Sequence, residues 1–144
     1  MQVSVKKLNP DAVLPTYGSA EAAGADLYAC LEEAVTIQPG EAAWIPTGIA
    51  LEVPKGCAGL VYARSSMGVK RGLAPANKVG VIDSDYRGEI RVVLLNHSKT
   101  PQTVEPGERV AQFVITPVLT PVYTEVDTLS DTDRGTGGFG STGK

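Results

Sequence analysis

One histidine, two cysteines, one tryptophan and two phenylalanines are all that this 144-residue chain holds of those types. The scarcity excludes several chemistries. His97 stands between Asn96 and Ser98, and Cys30 and Cys57 are far apart and in no C-x-x-C pair. A zinc site would need several carboxylates to complete it. The two cysteines are expected to be buried and reduced, as in a cytosolic protein, rather than joined. No apolar run approaches 18 residues, so no transmembrane helix is expected. The opening MQVSVKKLNP has lysines but no apolar stretch behind them, unlike a secretory signal. No G-x-S-x-G elbow is present, and a Ser-His-Asp triad would have to recruit His97. No G-x-G-x-x-G opens a βαβ unit, which excludes a dinucleotide fold. A net charge of −3 and a pI near 5.1 argue against a general nucleic-acid or membrane-surface binder. Any anionic ligand must be held by local positive groups.

What the chain does have is glycine and proline, 16 and 10 of them, spread throughout. The prolines leave few windows long enough for a helix. Between them lie short β-type runs: 3–8, 34–37, 42–45, 48–53, 59–64, 89–96 and 109–116. Turns such as Pro39-Gly40 and Pro106-Gly107 separate them. Short strands at this spacing predict an all-β sandwich or barrel. Residues 65–70 are the best candidate for a helical turn. No internal repeat or domain linker is evident.

Three segments are rich in polar chemistry. NKVGVIDSDYRGEI, residues 77–90, places Asp83, Asp85, Tyr86 and Asn77 around one turn. It superficially resembles a calcium loop, but Leu94 stands where such a loop needs glutamate, and strands are expected on both sides. A simple hairpin (apolar VGVI, a DSD turn, then a strand) describes the expected geometry without accounting for that polar cluster. ARSSMG, residues 63–68, can offer guanidinium, hydroxyl and backbone N–H donors to a phosphate, although exposed Arg-Ser pairs are common. Gln112 interrupts the apolar strand VAQFVI and faces either solvent or a ligand.

The end, RGTGGFGSTGK, differs in composition, with Phe139 its one large apolar residue. Ordering its backbone costs roughly 1–2 kcal/mol per residue, and most for glycine. Residues 134–144 are therefore expected to be mobile alone and ordered over a ligand. A disordered, solubilising end is the plainer reading of the composition; the isolated Arg134 and Phe139 weaken it. GFGSTGK fits all but the last position of G-x-x-x-x-G-K-[ST], but that phosphate loop needs a strand before it and a helix after it.

Taken together, AAGADLYA (22–29), ARSSMG, NKVGVIDSDYRGEI, PGERVAQFVI (106–115) and RGTGGFGSTG (134–143) resemble the five ordered motifs of the trimeric dUTPases (dUTP pyrophosphatases). The resemblance implies a β jelly roll of the dUTPase-like β-clip type over residues 1–133. It also implies a homotrimer with active sites between subunits, and a tail, 134–144, that closes over them. The implied reaction is Mg²⁺-assisted attack of water on the α-phosphorus of dUTP, releasing pyrophosphate and leaving dUMP. That would limit uracil in DNA and supply dUMP for dTTP synthesis, in the cytoplasm.

The resemblance also assigns roles. Asp83 would hold and activate the water. Mg²⁺ would bridge triphosphate oxygens and take its other ligands from water, with Asp26 acting on it through that water. Asp85 would stabilise the hairpin. Asn77 and backbone groups at Gly80 and Val81 would read uracil, and Tyr86 would pack under the deoxyribose. Arg64, Ser65, Ser66 and Gln112 would hold the phosphates. Arg134, Gly140, Ser141 and Thr142 belong to the tail's phosphate-gripping set, and Phe139 would stack on uracil. Many members carry Arg-Ser-Gly where this chain has Arg64-Ser65-Ser66. Arg-Ser-Ser is also similar to the dCTP deaminases of the same fold, but their catalytic glutamate aligns with Val93. A nucleotide-sensing regulatory protein on this fold is the alternative of another class; the intact catalytic set argues against a pure sensor.

Overall fold

Short strands follow from turns that the sequence forces. Gly40 and Gly107 sit at φ +79° and +74°, a region glycine enters without steric cost, and each ends a strand connection begun by the preceding proline. The structure, a computed structural model, describes residues 1–138. Among them lie twelve strands: β1 Val5–Lys7, β2 Thr16–Tyr17, β3 Ala25–Tyr28, β4 Val35–Ile37, β5 Ala42–Pro46, β6 Ile49–Leu51, β7 Cys57–Tyr62, β8 Leu73–Pro75, β9 Gly80–Ile82, β10 Arg91–Asn96, β11 Gln102–Val104 and β12 Arg109–Pro117. One π-type helical turn, Ser66–Arg71, stands where a helical turn is expected. The fold is all-β.

All pairings are antiparallel. The largest sheet runs β2-β3-β12-β7-β9, and a second runs β5-β10-β8; β1 pairs with β6 and β4 with β11. The sheets share one core, centred on Leu27, Ile37, Ile45, Ile49, Val92, Leu94 and Val110. β10 shows how. Its Val92, Leu94 and Asn96 are buried while Arg91, Val93 and Leu95 face outward, the period of two that a half-buried strand requires. Asn96 is the inward polar exception, fully buried. Its amide donates to the Ile37 and Thr100 carbonyls at 2.9 and 2.8 Å, and its oxygen accepts from the Ser98 N–H and hydroxyl. Asn96→Leu keeps the branched shape but adds bulk and orphans those groups, so it is expected to cost about 3 kcal/mol and roughly 10 °C of melting temperature, read by calorimetry.

Two expectations are corrected. Gly80–Ile82 and Arg91–Asn96 do not form the two arms of a hairpin: β9 pairs with β7, whereas β10 pairs with β5 and β8. The chain does reverse tightly at Asp83, where the Tyr86 N–H reaches the Asp83 carbonyl at 3.2 Å, but the following residues are irregular. The cysteines are free, as expected, but half-buried rather than buried, because Cys57 opens a strand and Cys30 lies in the loop after β3. Partial burial, then the charges of Asp11 and Glu89, raise the Cys30 thiol pKa. Among the described residues the last strand ends at Pro117. From there to Thr136 the chain is exposed, including Leu119, Val122, Tyr123 and Leu129. Phe139, Gly140, Ser141 and Thr142 lie outside the described residues. No helix among the described residues is long and apolar enough to cross a membrane.

Candidate active site

Strand register brings the first group of candidate residues together. On β12, Gln112 pairs with Asp26 of β3 on one side and with Tyr62 of β7 on the other. Two residues beyond Tyr62 stands Arg64. Its Nε donates to Asp26 Oδ1 at 2.6 Å and its Nη1 to Ser66 Oγ at 3.1 Å. Arg109 Nη1 donates to the other Asp26 oxygen at 3.2 Å. A buried carboxylate thus holds two guanidinium groups beside one shallow cavity of about 190 Å³, lined also by Ser65, Gln112 and Gly24. Two cations on one anion leave local positive charge on a net-negative chain, which is what capture of a polyanion requires.

The donors are partly pre-set. The Ser66 hydroxyl accepts from Arg64, so its own proton is left to donate. Gln112 Nε2 donates to the Ala63 carbonyl at 2.9 Å, leaving its second N–H for a ligand. Gly24 is required for this placement, because a Cβ there would lie 2.8 Å from Gln112 Oε1. Among the described residues, no three His, Cys, Asp or Glu side chains cluster to hold a metal. Both Asp26 oxygens already accept from arginine. The residues fit a cation that brings its own oxygen ligands and meets Asp26 through water; they do not form a protein cage.

The second group surrounds the reversal at 77–86. Lys78 takes a left-handed backbone, φ +67°, between hydrogen bonds from its own N–H to the Pro75 carbonyl and from the Val79 N–H to the Asn77 carbonyl, both 2.8 Å. That turn carries the chain from β8 into β9. Tyr86 folds over Gly88 so closely that a Cβ there would lie 2.3 Å from its hydroxyl, which donates to the Glu89 carbonyl at 3.1 Å. Two cavities, about 330 and 190 Å³, adjoin here. Asp83 and Tyr86 line the larger; Asn77 and Gly80 line the smaller; Val81 lines both. Val93 also faces the smaller one, as hydrocarbon where a deaminase of this fold needs its glutamate. Asp83 is exposed, with no cationic side chain within 4 Å among the described residues.

Neither of these cavities shares a lining residue with the arginine-rich one. Within one chain the candidate residues therefore form two separate groups. Arg134 joins neither: it lies on the exposed extension, its Nε donating to the Gly137 carbonyl at 2.7 Å.

Gly24, Arg109, Trp44 and Arg91 are among the lining residues that the sequence motifs do not single out. Simple alternation along β12 puts Arg109 on the face opposite Gln112. The register shifts between Arg109 and Ala111, and that bulge swings Arg109 onto the Gln112 side. A bulge has no reliable signature in a strand of this composition.

A family model described as dUTPase matches residues 11–143. The deoxyuridine 5'-triphosphate nucleotidohydrolase of Nautilia profundicola is 49% identical over 144 residues, covering the whole of both chains. Among solved structures, the G164S mutant of the Staphylococcus bacteriophage 80alpha dUTPase with dUpNHpp matches with a TM-score of 0.87, at 29% identity and 99% coverage of each chain. A mutant dUTPase from phage phi11 of S. aureus, described with a structural Mg(II) ion, matches with a TM-score of 0.81 at 25% identity, covering 91% of this chain and 100% of that one.

Proposed function

This chain belongs to the dUTPase family and hydrolyses dUTP to dUMP, and we propose that it does so with the two residue groups described above, brought together by association of chains. The carrying observation is the arginine pair on Asp26, set beside the donors of Ser65 and Gln112 in one cavity, with the Ser66 hydroxyl bonded to Arg64 next to them. This group suits a triphosphate: Arg64 supplies charge-assisted donors, and the Gln112 amide and the hydroxyls supply neutral ones.

The other group suits deoxyuridine. Asn77 offers both an acceptor and a donor to the uracil edge, with backbone groups at Gly80 and Val81. A cytosine reverses that pattern and leaves buried groups unpaired, which can discriminate by about 10⁴-fold. Tyr86, its hydroxyl end packed against Gly88, forms the deoxyribose floor. Asp83 is the general base. A bond forms between the water oxygen and the α-phosphorus, the α-phosphorus–bridging oxygen bond breaks, and pyrophosphate leaves. Asp83 takes the water's proton and returns it to solvent. Asp26 would hold Mg²⁺ through water, and the ion would supply neutralisation of the charge developing on the phosphate oxygens.

Separation of the two groups within one chain supports a homotrimer with sites between subunits. So does the exposed apolar extension after Pro117, whose Leu119, Val122 and Leu129 lack cover among the described residues. The tail, 134–144, is the strap: Arg134, Gly140, Ser141 and Thr142 meet the phosphates and Phe139 lies on uracil. The place of action is the cytoplasm.

The test is pyrophosphate release with Mg²⁺ and each deoxynucleoside triphosphate in turn. Release from dUTP alone is expected; equal rates on dCTP or dTTP would refute the proposed pocket. Gly24→Ala offers a second check. Its methyl group would displace the Gln112 carboxamide, so the KM for dUTP should rise about fivefold or more with kcat little changed, at an overpacking cost of about 1–3 kcal/mol in stability.

A further inference from the structure

The lone tryptophan stands at an unusual place. Trp44 lies on the outward face of β5, opposite Val93 of β10, and is 64% exposed. The Arg91 guanidinium lies over its ring, 4.8 Å from the centroid. Asp83 and Glu89 line the same cavity as Arg91, yet neither is within 4 Å of it as an ion-pair partner. The ring, rather than a carboxylate, holds this cation.

Trp44, Val81, Ile82 and Arg91 line both nucleoside-side cavities, and so form the wall the two have in common. Asn77 lines one cavity and Asp83 the other. A nucleotide whose base is read at Asn77 and whose α-phosphorus meets the Asp83 water must span both cavities. Its base and sugar then pass along the common wall. Val81 and Ile82 present short aliphatic side chains there, so the indole with its stacked guanidinium is the wall's largest flat surface. Exposed aromatic surface beside a cavity is where binding energy concentrates.

We propose that Trp44, braced by Arg91, is a substrate-binding residue: the wall against which the deoxyuridine part of dUTP rests. This builds on the proposed site and adds a residue to it. Because Trp44 is the chain's only tryptophan, its emission reports the contact directly.

The experiment uses the full chain. Tryptophan emission is titrated with dUMP, which carries the nucleoside, and with inorganic pyrophosphate, which does not. A saturable emission change with dUMP is expected, at the concentration that inhibits hydrolysis; pyrophosphate should inhibit without that change. Trp44→Ala should raise the KM for dUTP about tenfold with kcat within about threefold, and Trp44→Phe should recover most of the loss. An emission unmoved by dUMP, or a KM within twofold in Trp44→Ala, overturns the inference. So does a smaller mass by light scattering in Trp44→Ala, which would place the ring between subunits. If Trp44→Ala fails to fold, the wild-type titration and the KM of Trp44→Phe decide. Wild-type protein that hydrolyses no dUTP would instead overturn the reading of the site itself.

Discussion

Asp83→Asn is expected to bind dUTP or dUpNHpp within a few-fold of wild type and to lower kcat by about 10³-fold, equivalent to about 4 kcal/mol of barrier. The substitution is isosteric. Asp83 is exposed and makes no ion pair with a side chain among the described residues. The turn bond at this position uses its backbone carbonyl, which an asparagine retains. The fold therefore has little reason to respond, and the melting temperature should move by no more than about 1–2 °C. What disappears is the ability to take a proton from water, because an amide oxygen is far less basic than a carboxylate. The loss should fall on kcat with KM nearly unchanged, the mark of an interaction made only in the transition state. Single-turnover pyrophosphate release and an independent titration with dUpNHpp separate the two quantities. Turnover at the wild-type rate would remove Asp83 from the mechanism, and weakened binding with kcat preserved would make it a binding residue.

The strands that the sequence announces are those whose own residues favour extension. RVVLLN and RVAQFVIT are rich in β-branched and other apolar residues that favour extension, and both form the expected strands. By contrast, β2, β8 and β11 have two or three residues each, and β3 is four residues of mixed type. Their extension is imposed by partner strands rather than by their own residues, as when Leu73–Pro75 is drawn against β10. The same limit explains the misread hairpin. VGVI and IRVVLL are close in sequence and both extended, so local pattern pairs them. The structure gives β9 to β7 instead, and only long-range packing decides this. The arginine-rich group divides along the same line. Arg64, Ser65, Ser66 and Gln112 stand in recognisable segments, whereas Arg109 depends on a bulge and Gly24 on the reach of a side chain from another strand.

Arg64→Ala should be the most damaging change on the phosphate side, and it separates two roles of one side chain. The guanidinium donates to buried Asp26 through Nε and to Ser66 through Nη1, which leaves its remaining N–H groups for a phosphate. Losing charge-assisted bonds to the triphosphate, about 1.5–3 kcal/mol, should raise the KM for dUTP roughly 10- to 100-fold. Stability should fall as well, by about 1–3 kcal/mol. Asp26 then keeps only Arg109, a half-exposed side chain at 3.2 Å. Arg64→Lys restores a positive charge but not the planar fork that serves Asp26 and Ser66 together, so it should recover stability better than affinity. Adding Asp26→Asn to Arg64→Ala discharges the orphaned carboxylate, and should return much of the stability while leaving KM high. Chemical denaturation and steady-state kinetics on the single and double variants give both readouts. If Arg64→Ala lowered stability with KM within twofold of wild type, Arg64 would be a brace for Asp26 alone, and the phosphate-binding role would pass to Arg109 and Gln112.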